Sequence, residues 1–165
     1  MKKIGLLVLL LTGSTMFAQT TVVDDTSSVD KIVTAMYGVI SGPAGPRDWG
    51  RFKNLFAEGA DMGAIFKNKK GELIYRAFSP DDYIRNNEPY FLKNAFVEKE
   101  IHRTTNTYGG LVNVFTTYAF ESGEEKARGI NSLQLVYSAN RWWIASLIWL
   151  EETPDNLLPK EYLSK

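Results

Sequence analysis

The stretch RGINSLQLVYSANRWWIASLIW, Arg128 to Trp149, decides the fold. Ile130 to Tyr137 and Trp142 to Leu150 are rich in β-branched, aromatic and leucine residues, and the short polar segment Ser138-Ala139-Asn140-Arg141 separates them. Two such runs around a short polar break predict a β-hairpin. With Ala139 and Asn140 as the turn, Ser138 faces Arg141, and Asn131, Leu133, Leu135 and Tyr137 share a face with Trp142, Ile144, Ser146 and Ile148. The other face carries Ile130, Ser132, Gln134, Val136, Trp143, Ala145, Leu147 and Trp149. Both faces are largely apolar, so each needs a cover.

Around this hairpin the chain has 165 residues, 44% hydrophobic and 13% aromatic, enough for one domain with a real core. Lys2-Lys3, the apolar run Ile4 to Leu11 and the segment ending Met16-Phe17-Ala18 predict a secretory signal peptide over 1–18, cleaved after Ala18. The expected destination is the periplasm or the exterior, with no membrane insertion after signal removal, because the apolar run is too short to span a bilayer. The chain has no cysteine, which removes disulfides, thiol catalysis and cysteine metal sites. Losing Lys2 and Lys3 leaves 17 basic against 19 acidic residues, a balance that predicts no nucleic-acid partner.

Residues 19–28 are polar and aperiodic and are expected as a flexible lead-in. Val29, Ile32, Val33, Met36, Tyr37 and Ile40 then recur at helical spacing, with Ser27 and Asp30 in capping-box positions. Asp48 caps a short second helix with Trp49, Phe52, Leu55 and Phe56 on one side. Asp61 to Phe66 and Leu73 to Phe78 read as strands joined by a turn at Asn68 to Gly71. Ser79-Pro80-Asp81-Asp82 starts a third helix that Pro89 should break or kink. Long strands follow over Phe96 to Thr107 and Leu111 to Glu121, then the hairpin, then a capping tail over 153–165. Helices first and a strand meander afterwards predict an α+β domain over 29–152, with about three N-terminal helices packed on one face of a curved antiparallel sheet.

Four segments carry a resemblance: G-I-N-S-x-Q-L at Gly129 to Leu135, R-W-W-I-x-S-L at Arg141 to Leu147 with Trp149 two places on, F-x-E-x-E-I-H-R at Phe96 to Arg103, and N-V-F-x-T-Y at Asn113 to Tyr118. With the element order, the chain from about Val29 to Glu152 resembles the nuclear transport factor 2-like superfamily, in particular its SnoaL-like bacterial members. The resemblance implies a cone-shaped fold, a pocket between the concave sheet face and the helices, and dimerisation through the convex face. It assigns no reaction, since the superfamily spans isomerases, dehydratases, cyclases, transport factors and binding modules. Ketosteroid isomerase-type members carry a carboxylate base on the strand after the second helix, where this sequence offers Met62-Gly63-Ala64.

With Tyr108 and Gly109 turning the chain, Glu98, Glu100 and the single histidine, His102, share a face with Asn113, Phe115 and Thr117, which the resemblance places on the pocket side. His102 and Glu98 are then the candidates for proton exchange with a substrate; the competing reading makes them the wet side of a strand. Asn131 and Ser146 would offer hydrogen bonds to a ligand or to one another. Tyr37, Trp49, Phe52, Tyr137 and Trp142 would wall the pocket or belong to the core. One histidine leaves no two-histidine metal site, and no phosphate-cradling loop occurs, so no metal or cofactor is expected. The reading is an exported domain that binds a small, partly apolar molecule. The alternatives are a cofactor-free acid–base enzyme of dehydratase, isomerase or hydrolase type and a structural dimer module. A homodimer is expected through Trp143, Leu147, Trp149, Val112, Val114 and Tyr118, which would otherwise lie exposed on the convex face.

Overall fold

Helix α1 (Val29–Ile40) buries Ile32, Val33, Met36, Tyr37 and Ile40, the residues whose spacing of three and four puts them on one side. Its cap is Ser28, whose hydroxyl accepts from the Lys31 amide; the expected cap, Ser27, bonds Asp24 instead. These positions come from a computed structural model that describes residues 24–163. The expected export signal over 1–18 and the lead-in to residue 23 lie outside the described residues. The described part of the lead-in is tied down: Asp25 is buried and accepts two bonds from the Arg51 guanidinium, and the Thr26 carbonyl accepts from the Trp142 amide.

Asp48 caps α2 (Trp49–Lys53), and β1 (Phe56–Lys67) pairs antiparallel with β2 (Leu73–Phe78) across the Asn68 to Gly71 turn. β1 starts five residues before the expected strand, because Phe56 already pairs with Ile144 ahead of a register break that ends at Asp61. Ser79 and Asp82 form the capping box of α3 (Pro80–Phe91). Pro89 does not end this helix. It lies in the last turn, where its missing N–H removes only one bond before the helix stops at Phe91.

The strands β3 (Val97–Tyr108), β4 (Leu111–Ser122), β5 (Glu125–Ser138) and β6 (Arg141–Glu151) complete a six-stranded sheet of order β2-β1-β6-β5-β4-β3. β1 runs parallel to β6, so the sheet is mixed, not wholly antiparallel as expected. The α+β class stands. The hairpin turn is where the sequence puts it: Ser138 pairs with Arg141, and Ala139 and Asn140 hold φ of 50° and 60°, the geometry of a two-residue turn.

Two unpaired residues then reset which side chains face the helices. In β6, Leu135 pairs with Ile144 but Gln134 pairs with Ser146, leaving Ala145 unpaired. In β3, His102 pairs with Thr117 but Glu100 pairs with Tyr118, leaving Ile101 unpaired. Each bulge inverts the alternation beyond it. Beyond the Ala145 bulge Leu147 is a core residue and Trp149 packs against Tyr83 of α3, while Val112, Val114 and Tyr118 are core residues through the unbroken alternation of β4. Of the six residues on which a partner-facing surface was expected, only Trp143 lies on the outer face, where the Arg141 guanidinium sits 3.7 Å from its ring centroid. The outer face is crossed by the tail: a 3-10 turn at Lys160–Tyr162 sets the Tyr162 ring 5.2 Å from Phe115, and the Thr117 hydroxyl donates to the Tyr162 carbonyl at 2.6 Å.

Gly129 lets the Tyr118 ring lie against β5. A Cβ there would sit 2.4 Å from the Tyr118 hydroxyl oxygen and 2.5 Å from the Leu150 carbonyl oxygen. The backbone contact cannot be relieved by a side-chain rotation. Gly129→Ala is therefore expected to destabilise the chain by about 1–3 kcal/mol in urea unfolding. An unchanged midpoint would contradict this packing.

Candidate functional site

Helices and sheet enclose a cavity of about 190 Å³, partly open to solvent. Met36 and Ile40 of α1, Phe52 of α2, and Tyr83, Asn87, Tyr90 and Phe91 of α3 form one side. The sheet side is Met62, Phe96, Glu98, Tyr118, Phe120, Asn131, Leu147, Trp149 and Glu151. The aromatic rings form a connected wall: Phe52 stacks on Tyr83 at 5.3 Å, Tyr83 meets Trp149 edge-on at 6.2 Å, and Phe96 stacks on Phe120 at 5.3 Å. The volume is comparable to the roughly 150 Å³ of an engineered apolar cavity that holds benzene.

Glu98 reaches this cavity because its backbone is pinned. The Ser41 hydroxyl, just past the end of α1, accepts from the Glu98 amide at 2.9 Å, and its one proton lies between the carbonyls of Tyr37 at 2.8 Å and Glu98 at 3.0 Å. With Ile101 unpaired, Glu98 sits opposite Phe120 with its side chain under the helices. Its carboxyl accepts one bond, from Asn131 Nδ2 at 3.3 Å, and among the described residues it has no cationic partner. Burial pushes the Glu98 pKa up to about 7, and the Asn131 bond offsets part of that rise.

Asn131 links Glu98 to a buried polar chain. Its Nδ2 also donates to the Tyr37 hydroxyl at 3.2 Å, which lies 3.1 Å from Thr116 Oγ1. Thr116 Oγ1 donates to Glu100 Oε1 at 2.5 Å, and Glu100 holds Arg103 through two bonds of 2.7 and 2.6 Å. Arg103 also donates to Asp30 at the start of α1, which brings the chain to the surface. Burial also raises the Tyr37, Tyr83 and Tyr118 hydroxyls above the ordinary tyrosine range, so all three stay protonated at neutral pH. Glu151 is the second carboxylate on the cavity, exposed at its edge, and burial followed by the nearby Glu125 charge raises its pKa.

Of the residues singled out from sequence, the structure brings Glu98, Asn131 and Phe52 to the cavity. Glu100 and Tyr37 stand behind it in the polar chain. Trp49 packs on Phe52 and Phe91 and donates to Glu88, outside the lining. Tyr137 and Trp142 pack on each other beyond the cavity, with Tyr137 half exposed. Asn113, Phe115, Thr117 and Ser146 are on the outer face, the first three through β4 alternation and Ser146 through the Ala145 bulge. His102 pairs with Thr117 on that outer face, its ring 6.5 Å from Tyr162, so it does not meet Glu98 for proton exchange. The sequence reading missed the α3 contribution. Its signal was the spacing of Tyr83, Asn87 and Phe91, four apart, which puts them on one side of a helix. Among the described residues no His, Cys, Asp and Glu side chains converge in a group of three that could hold a metal.

No family model and no curated protein matches the sequence. Solved structures do match the fold. A protein of unknown function with a cystatin-like fold from Nostoc punctiforme aligns over 76% of this chain and 90% of its own at 8% identity, with a TM-score of 0.57. The beta subunit of benzoate 1,2-dioxygenase from Burkholderia mallei aligns over 82% of this chain and 97% of its own at 13% identity, TM-score 0.53. An NTF2-like protein of unknown function from Shewanella baltica aligns over 75% and 90% at 12% identity, TM-score 0.50.

The raised Glu98 pKa makes a signed prediction. An unfolded glutamate loses its proton near pH 4.3, whereas folded Glu98 keeps it to about 7. Between those values the folded state binds the extra proton, so this group's contribution to stability falls as pH rises, by at most about 1.4 kcal/mol per pH unit. Glu98→Gln should match the parent chain near pH 4 and exceed it by about 1–3 kcal/mol at pH 8 in urea unfolding. A stability difference independent of pH would contradict a buried, protonating Glu98.

Proposed function

We propose that this chain, which has the nuclear transport factor 2-like fold, binds one small, largely apolar molecule of about single-ring size in the cavity under α1 and α3. Glu98 and Asn131 take its polar group. The observation that carries this reading is the cavity itself: apolar and aromatic walls converge on a carboxyl with one hydrogen-bond partner and no cation. Pockets of this kind, apolar with a few convergent polar groups, are what small-ligand sites look like. The Lys2-Lys3 and Ile4 to Leu11 pattern supports placing this binding outside the cytoplasm.

A second reading is favoured by one observation, a cavity carboxyl that exchanges its proton near neutral pH. Such a group is suited to general acid–base work on a bound substrate. Without His102 in the cavity, Glu98 would act with the Tyr83 or Tyr118 hydroxyl, both on the same wall system.

Native mass spectrometry of the protein from its own cells, and thermal unfolding against benzyl alcohol, indole and cyclohexanol, test both readings. A copurified small molecule, or a saturable rise in midpoint with any of the three, is the expected result. Phe120→Trp, which fills the cavity, should remove that rise while leaving the circular dichroism unchanged. If a turnover assay is found, Glu98→Gln should cut kcat by at least about 100-fold with KM little changed under acid–base catalysis. No copurified molecule and no response in the panel would contradict the ligand reading.

A further inference from the structure

Among the described residues, the cavity has carboxylates and aromatic faces but no basic side chain in its lining. Arg47 is one basic group whose charge reaches this wall, being felt at Tyr83. It is committed elsewhere: its guanidinium donates to the carbonyls of Ile40, Gly42, Pro43 and Gly45 and lies 5.0 Å from the Phe91 ring centroid, on the loop side of that ring. The other groups around Glu98 supply no positive charge: the Tyr37, Tyr83 and Tyr118 hydroxyls and the Asn131 amide are neutral, Glu151 on the same cavity is a carboxylate, and Glu100 is held by Arg103. An ionised carboxylate enclosed without a counter-charge is costly, and proteins normally pair such groups. Below its midpoint Glu98 avoids this cost by holding its proton; once it is ionised, no pairing charge lies beside it among the described residues, and a bound cation would supply one.

Resting on the binding reading above, we propose that the ligand of this cavity is a ring-sized organic cation, a protonated primary amine on an aromatic or alicyclic body, whose ammonium group pairs with Glu98. Three features act together. Glu98 Oε1 accepts from Asn131, and the carboxylate has capacity left for the donors of an ammonium group. The faces of Phe52, Tyr83, Phe96, Tyr118, Phe120 and Trp149 suit both an apolar body and a cation, through the negative potential over aromatic rings. Glu151 at the open edge adds a second negative charge on the entry path, which favours cations and repels carboxylates. An anionic ligand would meet two carboxylates and no compensating base.

Binding of the cation needs Glu98 ionised, so it displaces the carboxyl proton. Affinity for an amine that stays charged should therefore rise from pH 6 to pH 8, through the region where Glu98 titrates, and level off above it.

Isothermal titration of the full mature chain with benzylamine, benzyl alcohol and benzoate at pH 8 tests this. Benzylamine is expected to bind at least tenfold tighter than benzyl alcohol, benzoate weakest of the three, and benzylamine affinity should fall severalfold at pH 6. Glu98→Gln should remove the preference, so that benzylamine and benzyl alcohol bind the variant to within a factor of about two and benzylamine affinity no longer changes between pH 6 and pH 8. The ligand series and pH dependence in the parent chain stand without any variant. Equal binding of benzylamine and benzyl alcohol, or preference for benzoate, overturns the cation selectivity while leaving a neutral-ligand pocket intact. Saturable binding of none of the three overturns the pocket reading, and the cation inference with it.

Discussion

One unpaired residue in β3, Ile101, determines what the cavity contains. Side chains alternate along a strand with a period of two, so an extra residue without a partner exchanges the two faces on one side of it. Before Ile101, Glu98 and Glu100 point under the helices; after it, His102 points to the outer face while Arg103 turns inward to meet Asp30. A β3 without the bulge would put Glu98 and Glu100 on the same face as His102, and all three would share one environment. The Ala145 bulge acts in the same way on β6, sending Ser146 out and bringing Leu147 and Trp149 to the cavity. The composition of the site follows from these two positions.

The polar groups under the helices survive burial because almost all are joined. Tyr37, Thr116, Asn131, Glu100 and Arg103 form a continuous series ending at Asp30 on the surface. Leaving one such group without a partner typically costs about 1–3 kcal/mol, so the series is strongly constrained as a unit. Glu98 is its inner end, and its carboxyl is open to the cavity. Ser41 ties the Glu98 backbone to the end of α1 by accepting from the Glu98 amide and sharing its own proton between the Tyr37 and Glu98 carbonyls, which makes the position of the carboxyl a property of helix and sheet together. One side of the site is therefore polar and networked, and the rest of its lining is largely aromatic, drawn from α2, α3 and the sheet.

Much of the architecture could be read from the sequence because its signals are local. The Asp48 and Ser79 caps, the Asn68 to Gly71 turn and the Ala139-Asn140 turn each depend on residue types within a few positions. The bulges gave no such signal. Both faces of the hairpin are apolar, so Leu147 and Ser146 carried no polarity contrast strong enough to reveal the change of face, and Ile101 looks like any strand isoleucine. Asn113, Phe115 and Thr117 were assigned to the pocket side by resemblance, and the unbroken alternation of β4, with Val112, Val114, Thr116 and Tyr118 buried, puts them on the outer face. Glu98 was expected on the pocket side only in company with Asn113, Phe115, Thr117 and His102, which lie on the outer face; it reaches the cavity through the Ile101 bulge, and the neighbours that give it its chemistry were not foreseen. Tyr83, Phe96, Phe120 and Trp149 converge on it from four separate segments, a juxtaposition that belongs to tertiary packing.

The central claim is that Glu98 stands in the cavity as a carboxyl without a counter-charge. Following the 13C resonance of its side-chain carboxyl by NMR from pH 4 to pH 9 tests that claim directly, with Glu98→Gln supplying the assignment. The structure predicts a midpoint of about 7. A midpoint near the ordinary glutamate value of about 4.3 would mean that Glu98 is solvated or paired, and would contradict the account.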